Sequence, residues 1–163
     1  MNKTALIHDF LHPRHDHHHC IAAALQEAEQ ACRQQSLRLT HLRRRVLELI
    51  WQEHRPIKAY ELMDQLRRDG LNATPPTAYR ALDFLLKAGL IHRLETLNAF
   101  IGCSWPGARH GSQFLICQKC HVVAELDAPE ITEIIDRQSQ QLGFQAGQHI
   151  IEIRGLCANC KKT

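Results

Sequence analysis

No stretch of these 163 residues is long and apolar enough to cross a bilayer. Residues 1–20 mix charge, histidine and proline, without the apolar segment of a secretory signal. The chain is therefore expected to remain in a reducing cytosol, where seven cysteines argue for metal binding before disulfides. A strong charge imbalance is also missing, since the net charge is only +3. The excess is unevenly placed. Residues 22–102 hold 12 Lys and Arg against 9 Asp and Glu, and both flanks are neutral. The densest cluster, Arg43, Arg44 and Arg45, hints at a polyanionic partner, although on charge alone a solvated helix face is the stronger reading. No base or oxyanion constellation stands out, so an enzyme is not expected. The apolar share of 44% suits a globular chain, and the length suits one compact domain or two small ones.

What is present begins with helices. Residues 21–34 are rich in strong helix formers. Thr40 is placed to cap HLRRRVLELIWQE, in which Leu42, Val46, Leu49 and Ile50 form an apolar stripe. Pro56 interrupts the chain. A third helix, KAYELMDQLRRDG, is expected to bury Tyr60, Leu62, Met63 and Leu66 at least in part, with Gly70 as its stop. The next, in NATPPTAYRALDFLLKAGL, takes Thr74 as cap, Pro75 at its first position and Gly89 at its exit. Its core face is Leu82, Leu85 and Leu86, while Tyr79 and Arg80 project from the early turns, where a recognition helix meets base edges and phosphates. IHRLETLNAFIGC then alternates as a hairpin would. Helices ending in a β-hairpin make a winged-helix arrangement and point to DNA binding.

The strongest signal is the pair CQKC, residues 117–120, and CANC, residues 157–160. Cys117, Cys120, Cys157 and Cys160 fit a tetrahedral four-sulfur zinc site, against the alternatives of two redox pairs or buried free thiols. Such a closed site leaves no position for substrate and argues for stability. Between the knuckles lie a strand (HVVAELD), a helix and a second strand (QHIIEIRG), which with FLIC make a small α+β domain. Ile131, Ile134, Ile135 and Leu142, interrupted by Gln138, give that helix an apolar stripe. The short sheet has edges to protect, so dimerisation through it is plausible.

A two-residue turn at Leu97 and Asn98 would set His92 opposite Cys103, close enough to share one metal ion. His110 and Glu125 could complete a mixed nitrogen, sulfur and oxygen set, although a lone His or Glu is more often an ordinary polar group. Ligands drawn from both the hairpin and the C-terminal region would let one ion fix their relative orientation. A third candidate is HPRHDHHHC, residues 12–20, seven of whose nine residues could bind a metal. Its histidines are broken up by Pro13, Arg14 and Asp16, and the plain reading is a mobile polar arm; the sharper one is a low-affinity zinc collector.

Together RLTHLRRRVLELI, KAYELMDQL, PPTAYRALDFLLKAGLIHR, ICQKC and HIIEIRGLCANC resemble the ferric uptake regulator superfamily, most closely its zinc uptake regulator branch. The resemblance runs from about Leu25 to Lys161. It implies an α+β chain with a winged-helix DNA-binding domain (21–103) and a C-terminal α/β dimerisation domain (104–163); the His-rich arm (1–20) lies ahead of the resemblance. It further implies two zinc ions per subunit: a structural one in Cys117, Cys120, Cys157 and Cys160, and a regulatory one in His92, Cys103, His110 and Glu125. The DNA-reading residues carry over to Tyr60 and Arg80, with Tyr79 as a further contact. Asp64 and Arg67 match residues that form salt bridges between dimers on one operator. Iron-sensing members have several histidines and an Asp just before the first CxxC; here ARHGSQFLIC offers His110 alone, which shifts preference toward zinc. His121 and His149 are second-tier metal candidates.

The expectation is a cytoplasmic zinc-responsive repressor that binds operator DNA as a dimer when zinc is sufficient and shuts off zinc-uptake genes. The alternatives are a sensor of iron, manganese, nickel or peroxide on the same fold, a zinc enzyme with a water ligand, and a constitutive DNA-binding protein with purely structural zinc.

Overall fold

A computed structural model describes residues 17–52, 55–71, 73–104, 106, 111–147 and 149–162, with side chains from residue 21 onward. The chain divides into two compact units, one within residues 12–108 and the other within residues 109–163. His110 and residues 12–16 of the His-rich stretch lie outside the described residues, and of residues 17–20 the backbone alone is described.

The first unit is built from α1 (His17–Gln34), α2 (His41–Trp51), α3 (Ala59–Arg68), α4 (Pro75–Lys87) and a hairpin of β1 (Ile91–Leu94) and β2 (Ala99–Gly102). Thr40 accepts the Arg43 N–H at the start of α2, as its position predicts. Thr74 occupies the cap position of α4 and Pro75 its first turn, but the Thr74 hydroxyl meets that of Thr77 at 2.9 Å instead of capping. At the end of α3, Gly70 adopts φ +74, and the N–H groups of Gly70 and Leu71 return to Arg67 and Leu66. That closure satisfies the last carbonyls and requires a left-handed residue, which glycine supplies without steric cost.

These helices enclose one core in which Val46, Leu66 and Leu85 are fully buried. Leu85→Ala should therefore cost about 2–5 kcal/mol, read as a lower denaturant midpoint for this unit. Tyr60 does not join the core: it is 57% exposed, against the expectation of partial burial. The reason is angular. α3 packs through Leu62 and Leu66, one turn apart, and Tyr60 lies about 160° around the helix from Leu62. Leu62, Leu66 and the half-buried Met63 follow the expected face.

The arginine cluster proves to be internal cement. Arg44 pairs with Glu29 of α1 and with Glu48 at 3.5 Å. Arg45 pairs with Glu48 at 3.0 Å and Asp69 at 2.8 Å, and Arg43 lies over the Phe84 ring at 3.6 Å. These contacts tie α2 to α1, to the end of α3 and to α4, so the cluster is neither a free basic patch nor an idle solvated face.

The second unit is a three-stranded sheet, order β4-β3-β5, with α5 (Pro129–Gln141) between β4 and β5 and a short α6 (Ala158–Lys161) at the end. β4 (Val123–Leu126) pairs antiparallel to β3 (Ser112–Cys117), and β5 (Ile150–Gly155) pairs parallel to β3. Gln113 of β3 is fully buried; its carbonyl accepts the Ala128 N–H at 3.1 Å and its amide donates to Thr132 at 3.3 Å. Ala128 has no side chain able to cap α5, and Gln113 ties that helix start to the sheet instead. The expected apolar stripe of α5 is only partly covered. Ile131 and Ile135 are half-buried, whereas Ile134 is 50% and Leu142 86% exposed. Phe144, Ile150, Ile153 and Leu156 are exposed as well, so this unit leaves several large apolar side chains uncovered.

Candidate metal centres and nucleic-acid face

Parallel pairing explains how cysteines forty residues apart meet. Cys117 ends β3 opposite Gly155 of β5, so both strands leave the sheet at the same edge, and each feeds directly into a CxxC turn. In the first turn the His121 N–H returns to the Cys117 carbonyl at 3.0 Å, with His121 at φ +60 and exposed. In the second, Cys157 stands at the head of α6 and the Cys160 N–H returns to its carbonyl. One sulfur from each of the four residues lies within 4.8 Å of every other. The Cys120 and Cys157 sulfurs are 3.7 Å apart, too far for a disulfide and close to the edge of about 3.8 Å of a tetrahedron with Zn–S about 2.3 Å. The donor set and its spacing thus fit a zinc ion.

The thiols differ among themselves. The Cys157 N–H donates to the Cys117 sulfur at 3.4 Å, and with the N–H groups of Cys120 and Lys119 it holds that thiol down at about 5. Burial and the neighbouring thiols push Cys160 up to about 12. A metal ion arriving at neutral pH meets Cys117 as a thiolate and must displace a proton from Cys160.

The hairpin turns differently from the expected two-residue loop. His92 pairs with Ile101 and Leu94 with Ala99, leaving a four-residue loop of Glu95, Thr96, Leu97 and Asn98. Asn98 alone takes a left-handed conformation, at φ +47; Leu97, which a two-residue turn would force there as well, does not. The register moves by two residues, an even shift that preserves the sheet face. Cys103 is therefore a diagonal rather than a direct neighbour of His92. A ring nitrogen of His92 and the Cys103 sulfur still lie within 4.8 Å of each other, and both side chains are buried. Glu125 is buried on β4, where it pairs with Phe114. His149 sits 3.2 Å from Asp136 of α5, an interaction that serves the fold of its own unit.

On the first unit, Tyr60, Tyr79 and Arg80 are all exposed. Tyr60 and Tyr79 line a cleft of about 480 Å³ with Lys58, Met63, Arg93 and Asn98. Lys58 and Arg93 were not singled out from the sequence; the signal was available, since both are basic residues flanking the tyrosine-bearing helices. Arg93 is oriented by Glu95 and Asn98, each at 3.3 Å. Asp64 and Arg67 pair with each other along α3 at 2.9 Å and are both more than half exposed.

The model of the ferric uptake regulator family matches residues 34–154, about three quarters of the chain. The chain belongs to that family. Among ferric uptake regulator relatives, the zinc uptake regulation protein of Escherichia coli (strain K12) is 39% identical over 137 residues, covering 83% of this chain and 80% of that protein. Among solved structures, holo XcZur is 42% identical, with a TM-score of 0.81, covering 86% of this chain and 99% of that one. A zinc uptake regulator complexed with zinc and DNA is 38% identical, with a TM-score of 0.82, covering 87% and 95%. This family membership agrees with the mixed helix and strand fold and with the gathered cysteines.

Proposed function

We propose that this family member is a zinc-responsive repressor of zinc-uptake genes that binds operator DNA as a dimer in the cytoplasm. The observation that carries the zinc reading is the buried pairing of His92 with Cys103 in a chain that also gathers four cysteines. A thiolate beside an imidazole favours zinc over the harder ions that oxygen ligands suit. Cys117, Cys120, Cys157 and Cys160 would hold one permanent zinc, and His92, Cys103, His110 and Glu125 the regulatory one. Zinc, when bound, would draw these donors together as a Lewis acid. The likeness to a zinc uptake regulator complexed with zinc and DNA supports the same pairing of ligand and target.

For DNA, Arg80 of α4 is placed to reach a guanine edge, Tyr60 and Tyr79 to contact bases or phosphates, and Lys58 and Arg93 to neutralise the backbone along the cleft. The uncovered apolar side chains of the second unit support dimerisation, which would set two α4 helices at the spacing of successive major grooves. Asp64 and Arg67, exposed on α3, would exchange their intrahelical pairing for contacts with a neighbouring dimer on the same operator.

The deciding experiment is operator binding by gel shift against buffered free zinc, repeated with iron, manganese and nickel. Binding that rises with zinc alone is the expected result; an equal response to iron, or none to any metal, would overturn the reading. Within it, Arg80→Ala should weaken operator binding by roughly 1–3 kcal/mol and relax the sequence preference at one base pair. Binding to a panel of single-substitution operators would show this.

A further inference from the structure

We propose that β2 is the lever between the sensing cysteine and the DNA-reading face, and that Trp51 is the positioning residue holding it. This rests on Cys103 being a zinc ligand, as proposed above. Cys103 follows directly on Gly102, the last residue of β2. A methyl group at Gly102 would occupy the same space as the Cε2, Nε1 and Cζ2 atoms of Trp51, so the indole lies directly on the backbone there. Trp51 ends α2, the helix that packs against both α4 and α3. Two residues before Gly102, Phe100 exchanges both backbone hydrogen bonds with Ile57, at 2.9 and 2.8 Å. Ile57 adjoins Lys58, the cap of α3, and Tyr60 follows in the first turn of that helix.

β2 is thus held at three points: the sensing cysteine at its end, the Trp51 ring against Gly102, and the start of α3 at Phe100. A close-packed contact passes on a displacement, whereas a void absorbs it. When Cys103 and His92 are drawn into a fixed geometry, Gly102 has no room to retreat toward α2. The shift then travels along β2 to Ile57, and so to Lys58 and Tyr60 at the DNA cleft. Glycine at 102 is what lets the ring sit this close, and the flat indole gives the strand a hard surface.

The test uses the full-length chain with Trp51→Leu and Trp51→Phe, measuring occupancy of the second zinc by competition with a chelating dye, and operator affinity with and without zinc. Trp51→Leu is expected to retain both zinc ions while most of the zinc-driven gain in operator affinity, about 5–150-fold in the wild type, is lost. Trp51→Phe, which keeps a flat ring, should retain most of that gain. An undiminished gain in Trp51→Leu overturns the proposal, as does an equal loss of operator affinity with and without zinc, which would mark a purely structural role. Loss of the second zinc itself would also count against it. Should Trp51→Leu fail to fold, the emission of Trp51 in a Trp105→Phe background serves instead. It is expected to shift on the second zinc equivalent and not in a Cys103→Ser variant of that background; no shift overturns the lever. A full zinc response in Cys103→Ser would instead sink the sensing assignment.

Discussion

Cys157→Ser is expected to release the structural zinc and unfold the second unit while leaving the winged-helix unit folded. The buried core of the second unit is small, centred on Phe114, Ile116, Val123 and Ala124, and much of α5 and β5 is exposed. A unit of that kind depends on its staple. Structural zinc supplies about 10–16 kcal/mol in zinc-finger peptides, as much as or more than the 5–15 kcal/mol by which whole domains are stable. Cys157→Ser removes one of the four thiolates and leaves the backbone N–H that donates to Cys117. The core of the first unit draws on none of the four cysteines, so its helices should survive. Metal analysis should find one zinc fewer per chain, and denaturation should show the transition of the first unit without that of the second. Unchanged zinc content and an unfolding curve like that of the wild type would refute the assignment. The pH dependence follows from the thiols. Acidification should weaken zinc retention, because protons compete for the sulfurs. The loss should steepen as pH falls through about 5, where Cys117, held low by its N–H donors, also takes a proton.

The elements that local chemistry determines were legible in the sequence. Thr40, Gly70, Pro75 and Gly89 punctuate α2, α3 and α4 as their backbone preferences require. The paired CxxC turns announced the cysteine cluster, although the parallel β3–β5 pairing that gathers it depends on contacts forty residues apart. Partners distant in sequence were not legible. Nothing local says that Arg44 will find Glu29 or Arg45 Asp69. Periodicity gave α5 an apolar stripe, but no periodicity tells whether a chain's own residues cover it. The hairpin register failed at Leu97, because turn type follows from which residue tolerates a left-handed backbone, and only Asn98 does. The juxtaposition of His92 and Cys103 survived that error because side chains alternate with period two and the slip was even.

Cys103→Ser should leave the fold intact and remove the zinc response. Cys103 follows β2, and its N–H bonds to the Leu90 carbonyl at 3.0 Å, a contact that serine keeps. The side chain is buried, so a hydroxyl there costs roughly 1–3 kcal/mol at most, within what the surrounding core can bear. What serine cannot replace is the thiolate, since an alcohol remains protonated at neutral pH and is a poor zinc donor. The variant should hold the four-cysteine zinc, lose the second, and bind the operator equally with and without added zinc. Wild type should gain about 5–150-fold, the range of a coupling of 1–3 kcal/mol. Because coupling between two binding equilibria is reciprocal, operator DNA should tighten the second zinc of the wild type by that same factor. Adding operator to wild type poised against a chelating dye should therefore draw zinc from the dye, and adding it to Cys103→Ser should draw none. If the variant takes up zinc on adding DNA as the wild type does, the coupling runs through other ligands and Cys103 is not the sensor.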